Sequence, residues 1–167
     1  MARLTLPEKL NLILLSFKSQ LVVYKQFKND PSGLKFLFSM NRSPLWDISG
    51  NKFFETNFSS QKLLSDRTQP STKEHYFNRI LSSRFIFNEL EKDENMSLDR
   101  FTEICKDLCS IVKLTKEEHT LVTNMSRGTN RPGYLFYEKC GIEINGFDEY
   151  MKNIEGKYHL NDWYNNI

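Results

Sequence analysis

The chain is poor in cysteine, histidine, alanine and net charge, and each shortage narrows what it does. Three cysteines, Cys105, Cys109 and Cys140, are too few and odd in number for a disulfide scaffold, and point to a reducing compartment. Lysine and arginine exceed aspartate and glutamate by only two, so the chain is no polybasic coat for nucleic acid, and any contact with DNA needs a local patch. No apolar run approaches the roughly 20 residues that span a bilayer, and Met1-Ala2-Arg3-Leu4-Thr5 lacks the pattern of a signal peptide. The expected location is therefore cytoplasmic, with no membrane partner. Ala2 is the only alanine, whereas Asn, Lys, Ile and Phe abound, a composition typical of AT-rich coding DNA. Internal repeats are absent.

What is present suffices for a core. Apolar residues make up 39% of the 167 positions and aromatic residues 13%, mostly phenylalanine, which excludes wholesale disorder. Thr5-Leu6-Pro7-Glu8 reads as a capping box opening a helix whose apolar face is Leu10, Ile13, Leu14, Phe17, Leu21 and Tyr24. That helix should end near Lys28, before the turn chemistry of Asn29-Asp30-Pro31-Ser32-Gly33. Leu34 to Met40 fits a helix or a strand. Ser43 to Asn51 reads as an irregular loop pinned by Trp46, and Lys52 to Phe58 as strand or loop.

Polar Ser65 to Ser71, with Pro70, marks a boundary. Beyond it come a short strand at Thr72 to Phe77, a helix at Arg79 to Leu90, and an interruption at Asp93-Glu94-Asn95. A helix capped by Ser97 and a β-branched strand at Ser110 to Leu114 follow. Thr115-Lys116-Glu117-Glu118 is a second capping box, opening a helix to about Asn124. Arg127 to Gly133 is a loop, and Tyr134 to Cys140 a short helix closed by Gly141. The remainder reads as a polar tail with aromatic Tyr158, Trp163 and Tyr164. The expected division is 1–65, a helical region for packing or DNA binding; 66–145, the region carrying the chemistry; and 146–167, the tail.

Two of the three histidines sit beside carboxylates at element boundaries: Glu74-His75 on a strand, and Glu117-Glu118-His119 at a helix start. A carboxylate and an imidazole close together hold a divalent metal or take a proton from water. Each piece also has a plain reading. An exposed Glu-His dipeptide usually does nothing, acidic residues in a first helical turn are ordinary caps, and His159 belongs to a solvated tail. Cys105, Cys109 and Cys140 with His119 are a conceivable zinc set, but buried free thiols are the expectation and structural zinc is not.

Taken together, Glu74-His75 and Ile111-Val112-Lys113-Leu114-Thr115-Lys116-Glu117-Glu118-His119 resemble the HNH nucleases. Tyr137-Glu138-Lys139-Cys140-Gly141-Ile142 is similar to the tail that follows the motif in some phage-encoded, homing-type members. The resemblance covers about residues 70 to 144. It implies an α+β fold, mostly helical, with a small ββα-metal motif in the C-terminal half. It implies a metal-dependent endonuclease acting on double-stranded DNA. His75 would be the general base, Glu74 and His119 would hold one Mg²⁺ or Mn²⁺, and Arg79 would contact the phosphate. Lys73, Arg84, Lys116, Arg127 and Arg131 would meet the DNA backbone. The chain departs from the family in having Ser110 at the place of a middle Asn, a long helical insertion between the halves, and no paired CxxC staples. The rival expectation is a non-catalytic DNA-binding or protein-interaction module. No stretch of the sequence identifies a dimer surface.

Overall fold

Capping chemistry and apolar spacing set where the helices begin and which faces they bury. The structure, a computed structural model, describes residues 4–129 and 131–160. In order the elements are α1 (Leu6–Phe27), α2 (Pro31–Ser49), β1 (Glu55–Ser59), α3 (Gln61–Ser65), β2 (Ser71–His75), α4 (Arg79–Lys92), α5 (Leu98–Cys109), β3 (Ile111–Thr115), α6 (Lys116–Ser126) and α7 (Phe147–Tyr158). Short 3-10 turns occupy Lys52–Phe54, Gly133–Phe136 and Glu138–Cys140. The fold is mostly helical α+β with one small sheet. Among the described residues no helix is long and apolar enough to cross a membrane.

The chain divides into two units that do not follow the expected boundary at residue 65. One takes the chain up to Glu55 together with Phe77–Ser110, and the other takes Thr56–Tyr76 together with the chain from Ile111 on. The reason is that α4 and α5 belong to the core of the N-terminal helices. Phe17 of α1 meets Phe87 of α4 at 4.8 Å between ring centroids and Phe101 of α5 at 6.2 Å. Tyr24 stacks on Phe87 at 5.0 Å, and Phe38 of α2 lies 6.1 Å from the same ring. Aromatic pairs at such distances add to the area they bury.

Within this first unit, α2 corrects the reading of Ser43 to Asn51 as a loop. The helix continues through Pro44 to Ser49 because Leu37, Phe38, Asn41, Leu45 and Ile48 recur at helical spacing and are all buried. Burial on that stripe outweighs the hydrogen bond that proline removes. Trp46 does not pin a loop. It is 60% exposed, and the Arg79 guanidinium stacks 3.1 Å from its ring centroid.

The second unit is built on a three-stranded sheet in the order β1-β3-β2. β2 and β3 run antiparallel, pairing Ser71 with Thr115, Glu74 with Val112 and His75 with Ile111. The closing strand starts at Ile111 rather than Ser110, because Ser110 caps the C-terminus of α5 with its hydroxyl on the Lys106 carbonyl. β3 passes directly into α6, whose N-cap is Thr115. The expected short helix at Tyr134 to Cys140 is two 3-10 turns, ended by Gly141 in a left-handed conformation (φ 65°). The expected polar tail instead contains α7, which buries Phe147, Met151, Ile154 and Tyr158. Phe147 is the hub of an aromatic cluster with Phe58, Tyr76 and Tyr137, at 5.3 to 5.6 Å. Trp163 and Tyr164 lie outside the described residues.

Candidate functional site

Strand alternation decides what β2 offers to α6. Successive side chains on a strand point to opposite faces, so Thr72 and Glu74 share one face with their register partners Leu114 and Val112. Ser71, Lys73 and His75 take the other. α6 covers the Glu74 face, because His119, its fourth residue, reaches that carboxylate. Glu74 Oε2 and His119 Nε2 are 3.1 Å apart, with the side chains 12% and 39% exposed respectively. A nearly buried carboxylate thus meets an imidazole that is open to solvent on one side.

The preceding residue explains why α6 begins where it does. Glu118 completes the capping box: its Oε2 accepts the Thr115 amide at 2.8 Å, while its own amide donates to Thr115 Oγ1 at 3.2 Å. The same Oε2 accepts the hydroxyl of Ser60 at 2.7 Å, tying the end of β1 to the start of α6. Capping therefore occupies Glu118, and His119 is the residue left to face Glu74.

Two residues close the site whose part in it the sequence did not show. A Cβ at Gly133 would stand 2.8 Å from Glu74 Oε1 and 3.3 Å from Val122 Cγ1, so any other residue there would push the carboxylate from its place. Tyr137, one turn on, is buried, and its hydroxyl has no hydrogen-bond partner among the described residues. Burial pushes its phenol well above the ordinary tyrosine value, and the negative charge of Glu74 pushes in the same direction. No local spacing links positions 133 and 137 to 74, so pattern alone offered no signal for them.

The other expected site residues are more scattered. His75 lies on the opposite sheet face from Glu74, alongside Lys73, which is exposed and pairs in register with Lys113. Arg79 belongs to the first unit, is buried, and is committed to Trp46, so it does not present itself to solvent as a phosphate contact must. Arg84 also belongs to the first unit; there burial and Glu91 raise the Tyr24 phenol while Arg84 lowers it. Lys116, Arg127 and Arg131 are exposed around α6 and the loop after it, with the Arg127 guanidinium 3.4 Å from Asn124 Oδ1.

Cys105 and Cys109 are buried in the first unit, where burial raises the Cys105 thiol, whereas Cys140 belongs to the second, 3.3 Å from Met125 Sδ. His159 is exposed at the C-cap of α7.

The pair fits a hard divalent cation in one respect and limits it in another. Two ligands at the short bond lengths of Mg²⁺, set at right angles, stand roughly 3 Å apart. The observed 3.1 Å thus suits either a direct hydrogen bond or two ligands of one ion. Among the described residues no group of three or more His, Cys, Asp or Glu side chains is arranged to hold a metal. A two-ligand site is the kind that Mg²⁺ tolerates, since it keeps waters and takes further oxygens from a substrate phosphate. Compared with protein-family models, curated proteins and solved structures, the chain matches none.

Proposed function

We propose that the chain is a metal-dependent endonuclease that hydrolyses DNA phosphodiester bonds, with Glu74 and His119 at its centre. The observation that carries this reading is the 3.1 Å approach of Glu74 and His119 across an antiparallel strand pair and the helix that follows it. The two residues come from positions far apart in sequence and meet on a strand–strand–helix frame, as the resemblance to HNH nucleases requires. A bound divalent ion would stabilise negative charge on the phosphate and the leaving oxygen. The protein's part is to hold the Glu74 side chain against His119, to fix it between α6 and Gly133, and to leave one edge of the imidazole open. Lys116, Arg127 and Arg131 supply exposed cations for the DNA backbone. His75 is proposed as the base because imidazole suits proton transfer near neutral pH. Its position on the other sheet face makes that role a separate question from the Glu74–His119 pair.

One observation favours the rival. A carboxylate as buried as Glu74, in direct contact with His119, also serves as a structural pin between β2 and α6 in a DNA-binding or interaction module without catalysis. Conversion of supercoiled plasmid with Mg²⁺ or Mn²⁺ separates the readings, using wild type beside Glu74→Gln, His119→Ala and His75→Ala. Metal-dependent nicking lost in the first two variants supports the nuclease. Loss in His75→Ala as well assigns the base, and cleavage surviving there removes it. Cleavage that survives all three belongs to a contaminant. No cleavage by wild type, with salt-sensitive DNA binding intact, leaves the structural pin.

A further inference from the structure

α1 is apolar on two sides, and only one of them faces its own core. Leu10, Ile13, Leu14, Phe17, Leu21 and Tyr24 are buried. On the opposite side Leu12, Leu15, Ser19, Val22 and Gln26 recur three or four residues apart, with Val23 beside them. Leu12, Leu15 and Val22 are exposed, Val22 at 74%. A helix that is apolar on both faces is normally covered on both. The stripe itself carries no charge between Leu12 and Gln26, and part-exposed Lys18 flanks it beside Leu15 and Val22. Lys9, Lys25 and Lys28 turn instead to Asp47, Glu94 and Glu91 of their own unit.

The face continues onto α2. Phe36 is 69% exposed and Met40 is exposed, and a groove of about 320 Å³ between the helices is lined by Val23, Phe27, Phe36, Leu37 and Met40, with Gln20 and Gly33 at its edge. The surface thus has two unlike ends along α1: projecting leucines at 12 and 15, and a groove at 23 to 27. Ser19 lies midway, roughly 8–9 Å from each along the helix axis.

We propose that this face is the interface of a symmetric homodimer, with the α1 helices antiparallel and the two-fold axis at Ser19. Rotation about that point brings Leu12 and Leu15 of each copy level with Gln26 and Val23 of the other, at the end of the helix where the groove lies. This is the self-complementarity that an isologous interface needs. Ser19 and Ser16 are small enough to let the helices approach. Each hydroxyl already makes one hydrogen bond within α1: Ser19 Oγ donates to the Ser16 carbonyl at 2.8 Å, and Ser16 Oγ accepts from Gln20 Nε2 at 2.9 Å.

The area also fits. Two helices of 22 and 19 residues, each about 10 Å wide, offer a face on the order of 600 Å². That is at the top of what monomers normally expose and near the roughly 800 Å² per partner of a stable complex.

Sedimentation velocity of the full chain at micromolar concentration tests the proposal, with Leu15→Glu, Val22→Glu and Ser19→Cys, the last in a Cys140→Ser background. Wild type is expected as a dimer. Each glutamate, buried against its symmetry mate, should weaken association by roughly a hundredfold or more with an unchanged far-UV circular dichroism spectrum. Ser19→Cys should cross-link between copies on mild oxidation. A monomeric wild type at these concentrations overturns the proposal, and if that monomer floats with phosphatidylcholine vesicles the face belongs to lipid. A dimer that resists both glutamates and does not cross-link at Ser19 overturns it too, by placing the contact elsewhere.

Discussion

The absence of a methyl group at position 133 leaves room for the carboxylate that meets His119. Gly133→Ala would drive a Cβ to within 2.8 Å of Glu74 Oε1, and we expect it to cost about 1–3 kcal/mol in urea unfolding. The same change in a Glu74→Ala background should cost much less, and the difference between the two measures the contact. Tyr137→Phe removes a buried hydroxyl that has no partner among the described residues, so stability near neutral pH should hold or rise by about 0.5–1 kcal/mol. Its pH dependence has a definite sign. The folded phenol is raised, so its contribution is complete below the ordinary tyrosine range near 10 and is lost as pH climbs towards the folded value. Tyr137→Phe should therefore flatten the alkaline limb of the stability profile, as read by thermal melts between neutrality and high pH. At this scale the sequence was half legible. Glu74 and His119 stood out because each sits at an element boundary in a chain with few histidines, whereas Gly133 and Tyr137 act on Glu74 only through tertiary contact.

Elements announced themselves where their signals were local. Both capping boxes were visible from residues three apart, and the structure shows Glu8 accepting the amide and hydroxyl of Thr5 at 2.7 Å each, and Glu118 closing on Thr115. The boxes should nonetheless respond differently to mutation. Glu118 is buried and also holds Ser60, so Glu118→Ala should cost about 2–3 kcal/mol by denaturant titration, more than an isolated cap. Glu8 is fully exposed, and its replacement should matter less. The Thr5 hydrogen bonds hold the Glu8 carboxyl below its ordinary value, so its support for α1 is present above that value and fades as pH falls through the folded one. Exchange of the Thr5 amide should therefore quicken on acidification before the rest of α1 responds. Elements were misread where burial overrode local chemistry. Pro44 suggested a loop, but Leu45 and Ile48 carry the helix past it; the stretch after Gly146 looked polar, yet Phe147, Met151, Ile154 and Tyr158 form a buried stripe.

The two units share the chain in alternation, which the sequence hid because α4 and α5 carry no mark of belonging with α1. Their Phe87 and Phe101 do, but only once packed on Phe17. A chain ending at Ser110 should therefore retain a cooperative melt and helical circular dichroism from the first unit. Its residues 56–76 should exchange amide hydrogens freely, and protection there would show that β2 is held without β3. The β2–β3 pairing also imposes an order on synthesis. Glu74 leaves the ribosome 45 residues ahead of His119, and in the interval α4 and α5 are made. A chain that stops after Ser110 but before His119 holds every residue of its first core and still lacks the Glu74–His119 pair. If the pair is catalytic, as proposed, its chemistry is withheld from such unfinished copies, a safeguard of particular value to a cell whose own DNA is the substrate.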